Sequence, residues 1–466
     1  MRYDLSYNTS QRFFYYFCSH KNHKVLALTT HRNAMKQVLR DQLRGMTVAE
    51  KVEMVFWAAL LVVLPFSWRL SIWASTALLA YGIVKTIACR KGRATQPLAV
   101  KLTLLMPILL FVVLLVSMTY SDNLASGWEK LVRRLSLVTF PAYLLLASPA
   151  WMSPARLRLL FRLFTLSCTG FFMFYLGYRF CPVLLGQAGL ASLFVHGFLV
   201  EHHTYAALYF LLALSFVYHE LVHFRATLAT SERCLLAFAA LCMVLFLVFI
   251  SSRSGIVCLL MLTAVALFNT TFRRRRYLAG IGLTLLAAGL FLGTVSLLND
   301  SQRRLTHTIA ETATKGQQDV RFDILRVSAE AIGEHWLAGV GIGDRDSVLL
   351  ATHRDRAQRG LPARGAGLNS HNEYLDNWLS AGLPGLLACL LLFAVPSVAF
   401  RRHRPYNGPL LALMLITSVT SVFESMMGRQ MGLLFFIAFY CLLTTYAAWP
   451  ADEARVGPAD SPRQLP

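Results

Sequence analysis

Acidic residues are scarce in this chain. It contains 24 Asp and Glu against 45 Lys and Arg, for a formal net charge of +21, and the long apolar runs hold almost no carboxylates. Carriers that move protons or sodium ions use acidic side chains inside the membrane, so this scarcity argues against an ion-coupled transporter. The basic residues form short clusters between apolar runs and are not gathered in one basic domain. That distribution is typical of membrane-protein loops and disfavours nucleic-acid binding.

Metal-binding and disulfide patterns are also missing. The 9 cysteines include no CxxC pair, and most lie inside apolar runs, so neither a disulfide framework nor a zinc site is expected. No HExxH motif and no DxD-type carboxylate pair occurs. His307, His335 and His353 lack the spacing of metal ligands. We therefore expect chemistry that needs no metal.

Long apolar runs dominate what is present. The chain is 56% hydrophobic, against roughly 45–50% in soluble proteins. The sequence predicts an all-α polytopic membrane protein with about twelve transmembrane helices and one large, partly helical loop between the ninth and tenth. The expected spans are 53–67, 70–88, 98–120, 135–150, 158–180, 203–222, 234–250, 255–271, 277–298, 376–399, 408–423 and 431–449.

These spans divide the chain into five regions. We expect a basic N-terminal segment at 1–52, helices 1–9 at 53–298, the large loop at 299–373, helices 10–12 at 374–449 and a disordered tail at 450–466. The first region lacks the apolar core of a signal peptide. Met35 or Met46, as well as Met1, could be the native start.

Basic clusters predict the orientation of the helices. With the basic N-terminal segment in the cytoplasm, every strong basic cluster falls in a loop on the same side, so both termini are expected to be cytoplasmic. The large loop then lies on the opposite side. The clusters are at 90–93, 156–158, 225–233, 273–276 and 401–404.

The large loop has its own pattern. Apolar residues recur at helical spacing over 321–344, which predicts a helix that ends at the glycines 339–343. These glycines resemble a dinucleotide fingerprint only by chance, because no strand precedes them. Residues 352–368, rich in Arg and Gly, are expected to form a mobile flap.

Several cations on the non-cytoplasmic side are candidates to bind an anion. Arg253 lies in a turn between two spans, where the charge rule disfavours arginine, and its guanidinium suits a phosphate at the membrane surface. Arg321 opens the loop helix, and Arg326 follows five residues later. Arg133 and Arg134, at the start of the fourth span, are further candidates. The alternatives are snorkelling or interfacial anchoring, and a solvated helix face for Arg321.

A histidine is the candidate for acid–base chemistry. His371 stands where the chain re-enters an apolar run, and a neutral imidazole there could accept a proton near neutral pH. The alternative is a helix-capping or structural histidine. Glu424, in the last outer loop with Arg429, could orient His371 or hold an arginine. The alternative is a simple interfacial ion pair. His202 and His203 could line a cavity, although a structural role is the simpler expectation.

Four motifs together resemble the O-antigen ligase and polymerase superfamily. They are SSRSG (251–255), RFDIL (321–325), AGVGIG (338–343) and SHNEYLDNWLSAGLPG (370–385). The family's R-x3-L element is matched by Arg321 to Leu325, and its H-[NSQ]-x9-G-x2-[GTY] element by His371-Asn372, Gly382 and Gly385. Arg253 departs from the R-x3-L pattern, since its fourth following residue is Val257. The resemblance covers about residues 50–450.

The resemblance implies a glycosyltransferase of the Gram-negative inner membrane, working on the periplasmic face. Its donor is O-antigen polysaccharide on undecaprenyl pyrophosphate, and its acceptor is a sugar hydroxyl of lipid A–core oligosaccharide. No cofactor, nucleotide or metal is implied, and the reaction inverts the anomeric carbon.

The resemblance also implies roles for individual residues. His371 is the general base, Arg253 and Arg321 stabilise the leaving pyrophosphate, and Glu424 matches by position an acidic residue of the family. Gly382 and Gly385 are expected to permit close packing that holds the histidine. Substrate binding is assigned to Arg133, Arg134, Arg326, Asn372, Arg429, His202 and His203.

Three other functions remain open. A polymerase of the same superfamily would use a second lipid-linked glycan as acceptor, and an O-linking protein oligosaccharyltransferase would use a Ser on a protein. A transporter of lipid-linked glycans would also need arginines, but in a cavity that reaches both faces. The histidine element favours the ligase.

Overall fold

The computed structural model describes residues 42–88, 96–147, 149–187, 203–250, 252–269, 320–367 and 369–450. Within these ranges the chain is helical and contains no strand. It divides into two units, residues 1–54 and 55–466. In the described part of the first unit, Thr47 and Glu50 form a capping box: the Thr47 amide donates to Glu50 Oε2 (2.9 Å) and the Glu50 amide to Thr47 Oγ1 (3.3 Å).

The described helices are numbered in chain order. They are α1 (Val48–Val63), α2 (Trp68–Ala88), α3 (Leu98–Val116), α4 (Leu124–Arg133), α5 (Ser136–Ala147), α6 (Pro154–Leu184), α7 (His203–His223), α8 (Thr230–Ile250), α9 (Arg253–Leu267), α10 (Val320–His335), α11 (Arg345–Gln358), α12 (Glu373–Ala399), α13 (Gly408–Thr420) and α14 (Gln430–Ala447).

The expected class, an all-α polytopic membrane protein, is confirmed. Seven of the described helices are long and apolar enough to cross a membrane, and each expected span within the described residues coincides with a helix. The ninth expected span, 277–298, lies outside the described residues, as do 1–41 and 451–466. The described part of the segment expected to form the large loop, 299–373, contains α10 and α11. The flap expected at 352–368 is wrong in part, because residues up to Gln358 are helical.

Helix α14 is the most buried of the candidate spans, with 83% of its apolar window inside the protein. It packs against α5, α13 and α3. Phe164 of α6 lies 4.6 Å from Phe439 of α14, and Phe161 stacks on Phe216 of α7 at 4.6 Å. Lipid is as apolar as these side chains, so close packing of the rings, and not transfer out of water, holds such helices together.

Glu220 is a carboxylate buried between two arginines. Arg158 donates to both of its oxygens, at 2.6 and 2.8 Å, and Arg162 donates from Nε at 3.1 Å. Glu220 is 4% exposed, so the two guanidiniums supply the charge that its burial requires. The carboxylate therefore joins α6 to α7 and is not a free ion-carrying group.

Helix α12 is broken at Ala381 and Gly382, where Gly382 has φ of 64°. The break frees backbone groups that need partners when buried. A turn of the large loop, residues 336–341, provides them. The amides of Val340 and Gly341 donate to the carbonyls of residues 379 and 380 at 2.9 and 3.0 Å, and the Leu383 amide donates to the carbonyls of residues 336 and 337.

Glycine is required where the turn and the break meet. A Cβ on Gly382 would lie 2.1 Å from the Leu337 carbonyl oxygen, and one on Gly339 would lie 2.5 Å from the Gly382 nitrogen. A Cβ on Gly385 would lie 2.2 Å from the carbonyl oxygen of Asn377. The close packing expected at Gly382 and Gly385 is thus present, with the loop turn and with the first half of the same helix as the neighbours.

Gly382→Ala should lower the free energy of unfolding by about 2 kcal/mol or more, because alanine is strained at positive φ and its Cβ meets the loop backbone. Gly333→Ala is the matched control. Gly333 lies inside α10 with nothing within 4 Å of an added Cβ, so alanine there should stabilise the helix by about 1 kcal/mol. Thermal unfolding of the two purified variants in detergent tests this, and equal melting temperatures would contradict it.

Candidate active site

His371 stands immediately before α12 in an unusual backbone conformation. Its φ is 47°, and no other non-glycine residue in the described ranges has a positive φ. Such a conformation costs free energy and persists where the surroundings fix it. The side chain is 25% exposed, so the imidazole can be reached from outside while one side of it faces protein.

Glu424 faces the imidazole. His371 Nδ1 lies 3.3 Å from Glu424 Oε2, and Glu424 is 3% exposed in the turn between α13 and α14. An ionised carboxylate only accepts hydrogen bonds, so this contact favours the tautomer with its proton on Nδ1. Nε2 is then the basic nitrogen. The structure thus places Glu424 where it can orient His371, one of the roles that the sequence left open for it.

Backbone contacts hold the His371 segment on that turn. The Glu373 amide donates to the Ser421 carbonyl (2.8 Å), and the Met427 amide donates to Glu373 Oε2 (2.7 Å). Asn372 Nδ2 donates to the Val422 carbonyl (3.1 Å). The start of α12 and the α13–α14 turn are therefore fixed to each other on both sides of the His371–Glu424 contact.

Asn372 also caps α12. Its Oδ1 accepts from the amides of Tyr374 and Leu375, at 2.9 and 3.1 Å. Asn372, and not His371, is thus the helix-capping residue. Its side chain is engaged in protein contacts through both the oxygen and the nitrogen, and the substrate contact predicted for it stays a prediction.

Arg133 and Arg134 differ in their surroundings. The side chain of Arg133 is 52% exposed and pairs with Glu129 on the same helix. Arg134 is 3% exposed, and within the described residues its Nε has no hydrogen-bond partner. Burial lowers the pKa of Arg134, an effect that the charge of Glu373 opposes. A buried guanidinium with an unused donor is suited to bind an anion such as phosphate.

An ion-pair network that the sequence did not reveal lies beside Arg134. Lys130 Nζ lies 3.0 Å from Asp346 Oδ2, and Arg345 Nε donates to Asp346 Oδ1 at 2.9 Å. Arg345 Nη1 lies 3.2 Å from Asp376 Oδ2 in α12. Burial would raise the pKa of Asp346, but Arg345 and Lys130 hold it below its ordinary value. The network joins α4 to α11 and α12, which lie much further along the sequence.

Arg321 and Arg326 lie on exposed positions of α10. The opposite face of α10 is apolar and packs on α11 and α12 through a cluster formed by Val327, Ala331, Ile332, Leu349 and Leu379. At the start of α10, buried Asp323 accepts from Arg364 Nε at 2.8 Å. These contacts fix the helix that carries both arginines, and their predicted roles stay predictions.

A protein-family comparison matches residues 238–390 to the O-antigen ligase family. Residues 238–390 form an O-antigen ligase domain. This confirms the family that the motifs predicted, over a range that begins in α8, includes α10, α11 and His371, and ends in α12. No curated protein matches the chain. Arg134 and Glu424 lie outside the O-antigen ligase domain, so the candidate site draws on neighbouring helices as well.

The remaining candidates are only partly placed. Within the O-antigen ligase domain, Arg253 begins α9, while its side chain is outside the described part. Outside the domain, His202 is not among the described residues and His203 begins α7. Arg429 is exposed at the start of α14, and no carboxylate in the described ranges pairs with it. In the same ranges, no group of three or more His, Cys, Asp or Glu side chains is placed to hold a metal ion.

Two variants of Asn372 distinguish the contribution of its capping oxygen from that of its amide donor. Asn372→Ala removes the cap and the bond to Val422, and should lower the free energy of unfolding by about 1–2 kcal/mol. Asn372→Asp keeps the capping oxygen and loses only the amide donor, so its loss should be smaller. Thermal unfolding in detergent distinguishes them. Equal stability of the two variants would mean that the cap contributes nothing.

Proposed function

We propose that this protein is an O-antigen ligase. It would transfer O-antigen polysaccharide from undecaprenyl pyrophosphate to a sugar hydroxyl of lipid A–core oligosaccharide, and so complete lipopolysaccharide. One observation carries the proposal: the O-antigen ligase domain at 238–390 contains His371, whose imidazole lies 3.3 Å from the buried carboxylate of Glu424.

His371 acts as the general base. The acceptor hydroxyl must lose a proton as it attacks the anomeric carbon, and Nε2 is the nitrogen free to take it when Glu424 holds the proton of Nδ1. The Glu424 carboxylate then stabilises the imidazolium that forms. A single attack on the face opposite the leaving group inverts the anomeric carbon.

The leaving group is a lipid pyrophosphate, which gains negative charge as the glycosidic bond breaks. Fixed guanidiniums can stabilise that charge without a metal. Arg134 is the best supported of them, because it is buried and its Nε has no partner in the described part of the chain. Arg253 and Arg321 are assigned the same role from the family motifs. Weaker contacts to the two substrates are assigned to Arg133, Arg326, Asn372, Arg429, His202 and His203.

The proposed setting is the Gram-negative inner membrane. We place about twelve spans in it, with both termini in the cytoplasm and the large loop in the periplasm. The positive clusters support this orientation. His371, Glu424, Arg134 and the loop helices then share the periplasmic side, where both lipid-linked substrates present their sugars.

Reconstitution tests the function directly. Purified protein, lipid-linked O antigen and lipid A–core, mixed without ATP or metal, should yield the ladder of joined products. His371→Ala should slow transfer by about 10²–10⁴-fold, because the general base is lost. Glu424→Gln should cause a smaller loss, since an amide still orients the imidazole but does not neutralise the imidazolium.

His335→Ala is the control for this series. His335 ends α10 in the same loop and has no proposed role, so its variant should transfer at the wild-type rate. Products formed only from two lipid-linked O-antigen donors would identify a polymerase instead. Near-normal transfer by His371→Ala would remove His371 from the base role.

Arg134→Met should raise the KM for the lipid-pyrophosphate donor by about ten- to a hundredfold. This is the loss of affinity expected when one hydrogen bond from a charged group is removed. Arg133→Met should have a smaller effect, because Arg133 is exposed and paired with Glu129. Arg354→Met, which removes one exposed charge from α11, controls for net charge. Initial rates over a range of donor concentrations provide the measurement. Equal KM values for Arg134→Met and Arg354→Met would exclude a direct contact to the pyrophosphate.

A further inference from the structure

Ser370, the residue before His371, is anchored by a carboxylate. Its Oγ donates to Asp376 Oδ1 at 2.6 Å and lies 2.9 Å from the Asn372 carbonyl oxygen. Ser370 is 2% exposed and Asp376 is 1% exposed. The hydroxyl therefore fixes the chain on the N-terminal side of His371 to the first turn of α12.

Arg345 in turn forms an ion pair with Asp376. Its Nη1 lies 3.2 Å from Asp376 Oδ2 without hydrogen-bond geometry, so the attraction is that of the two charges, while its Nε donates to Asp346. Asp346 is also paired with Lys130 of α4, and Lys130 Nζ donates to the Ile342 carbonyl at 3.1 Å. A continuous set of contacts thus runs from α4 through the start of α11 to the residue before the histidine.

His371 needs support on both sides because its backbone is in the left-handed region, with φ of 47°. On the C-terminal side, Asn372 caps α12 and donates to Val422. On the N-terminal side, the support is Ser370 and the carboxylate behind it. A shift of either neighbour would rotate the imidazole away from Glu424.

We propose that Arg345 is a positioning residue for His371, acting through Asp376 and Ser370. It touches neither the histidine nor, by this account, the substrates. The arginine belongs to the large loop, so docking of the loop sets the geometry of the base. This inference rests on the proposed ligase function and adds Arg345, Asp376 and Ser370 to the residues on which the rate depends.

A double-mutant cycle between Arg345 and Ser370 tests the proposal in the reconstituted transfer assay. Arg345→Gln and Ser370→Ala should each lower kcat by about 10–100-fold, the effect of a base displaced by about 1 Å. The KM for the donor should change less than about twofold, because binding of the donor is untouched. The double variant should lose no more than the larger single loss, since both changes break one chain of contacts.

Arg345→Lys adds a test by rescue. Lysine keeps a charge for Asp376 but has no second nitrogen to donate to Asp346 at the same time, so kcat should recover in part. Glu330→Gln is the matched control. It breaks the pairs that Arg356 and Arg359 make with Glu330 within the same loop, and it should leave kcat at the wild-type value.

Three results would overturn the positioning role: multiplicative losses in the double variant, a wild-type kcat for Ser370→Ala, or an equal loss for Glu330→Gln. If Arg345→Gln does not fold, Arg345→Lys takes its place in the cycle with Ser370→Ala. Absence of transfer by the wild-type protein would instead overturn the ligase function. If the wild-type protein transfers and His371→Ala does not, the ligase function stands. Multiplicative losses in the cycle would then overturn only the role of Arg345.

Discussion

The break in α12 constrains the rest of the site. A helix interrupted inside a packed protein exposes amides and carbonyls that are costly to bury without partners. Here the partners are the backbone groups of the loop turn 336–341, and they can approach only because Gly339 and Gly382 carry no side chain. His371 stands just before the first half of α12, so the bonds that hold the loop turn also hold the helix that follows the histidine.

The chain just after this turn is held from the other side as well. Asp344 accepts from the amides of Asp122 and Asn123, at 2.6 and 3.0 Å, in the segment between α3 and α4. Ser117 Oγ accepts from the Ile342 amide at 3.1 Å. Residues 336–346 therefore lie between α12 and the end of α3, with contacts to both. Two neighbouring residues, 345 and 346, then continue these contacts as ion pairs, so backbone and charge fix the same region.

The sequence predicted those features that depend on local patterns. Apolar runs located the helices, since a membrane span must satisfy its own backbone, and the spacing of His371, Gly382 and Gly385 indicated the family that the match at 238–390 confirms. The sequence alone leaves the pairing of His371 with Glu424 as one possibility among others, because nothing local connects residues that lie 53 positions apart. The Lys130–Asp346–Arg345–Asp376 network was not foreseen, because its members are ordinary charged residues brought together only by tertiary folding.

The cations of the candidate site differ in burial and in pairing, as Arg133 and Arg134 show. The two residues are adjacent and chemically identical, yet one is solvated and the other is 3% exposed. Nearby, Lys130 and Arg345 are matched by Asp346 and Asp376, so their charge serves to hold elements in place. No carboxylate in the described ranges forms an ion pair with Arg134. A buried cation without a pair lowers stability until an anion reaches it. This cost is the reason for proposing Arg134, and not its paired neighbours, as the cation that binds the substrate phosphate.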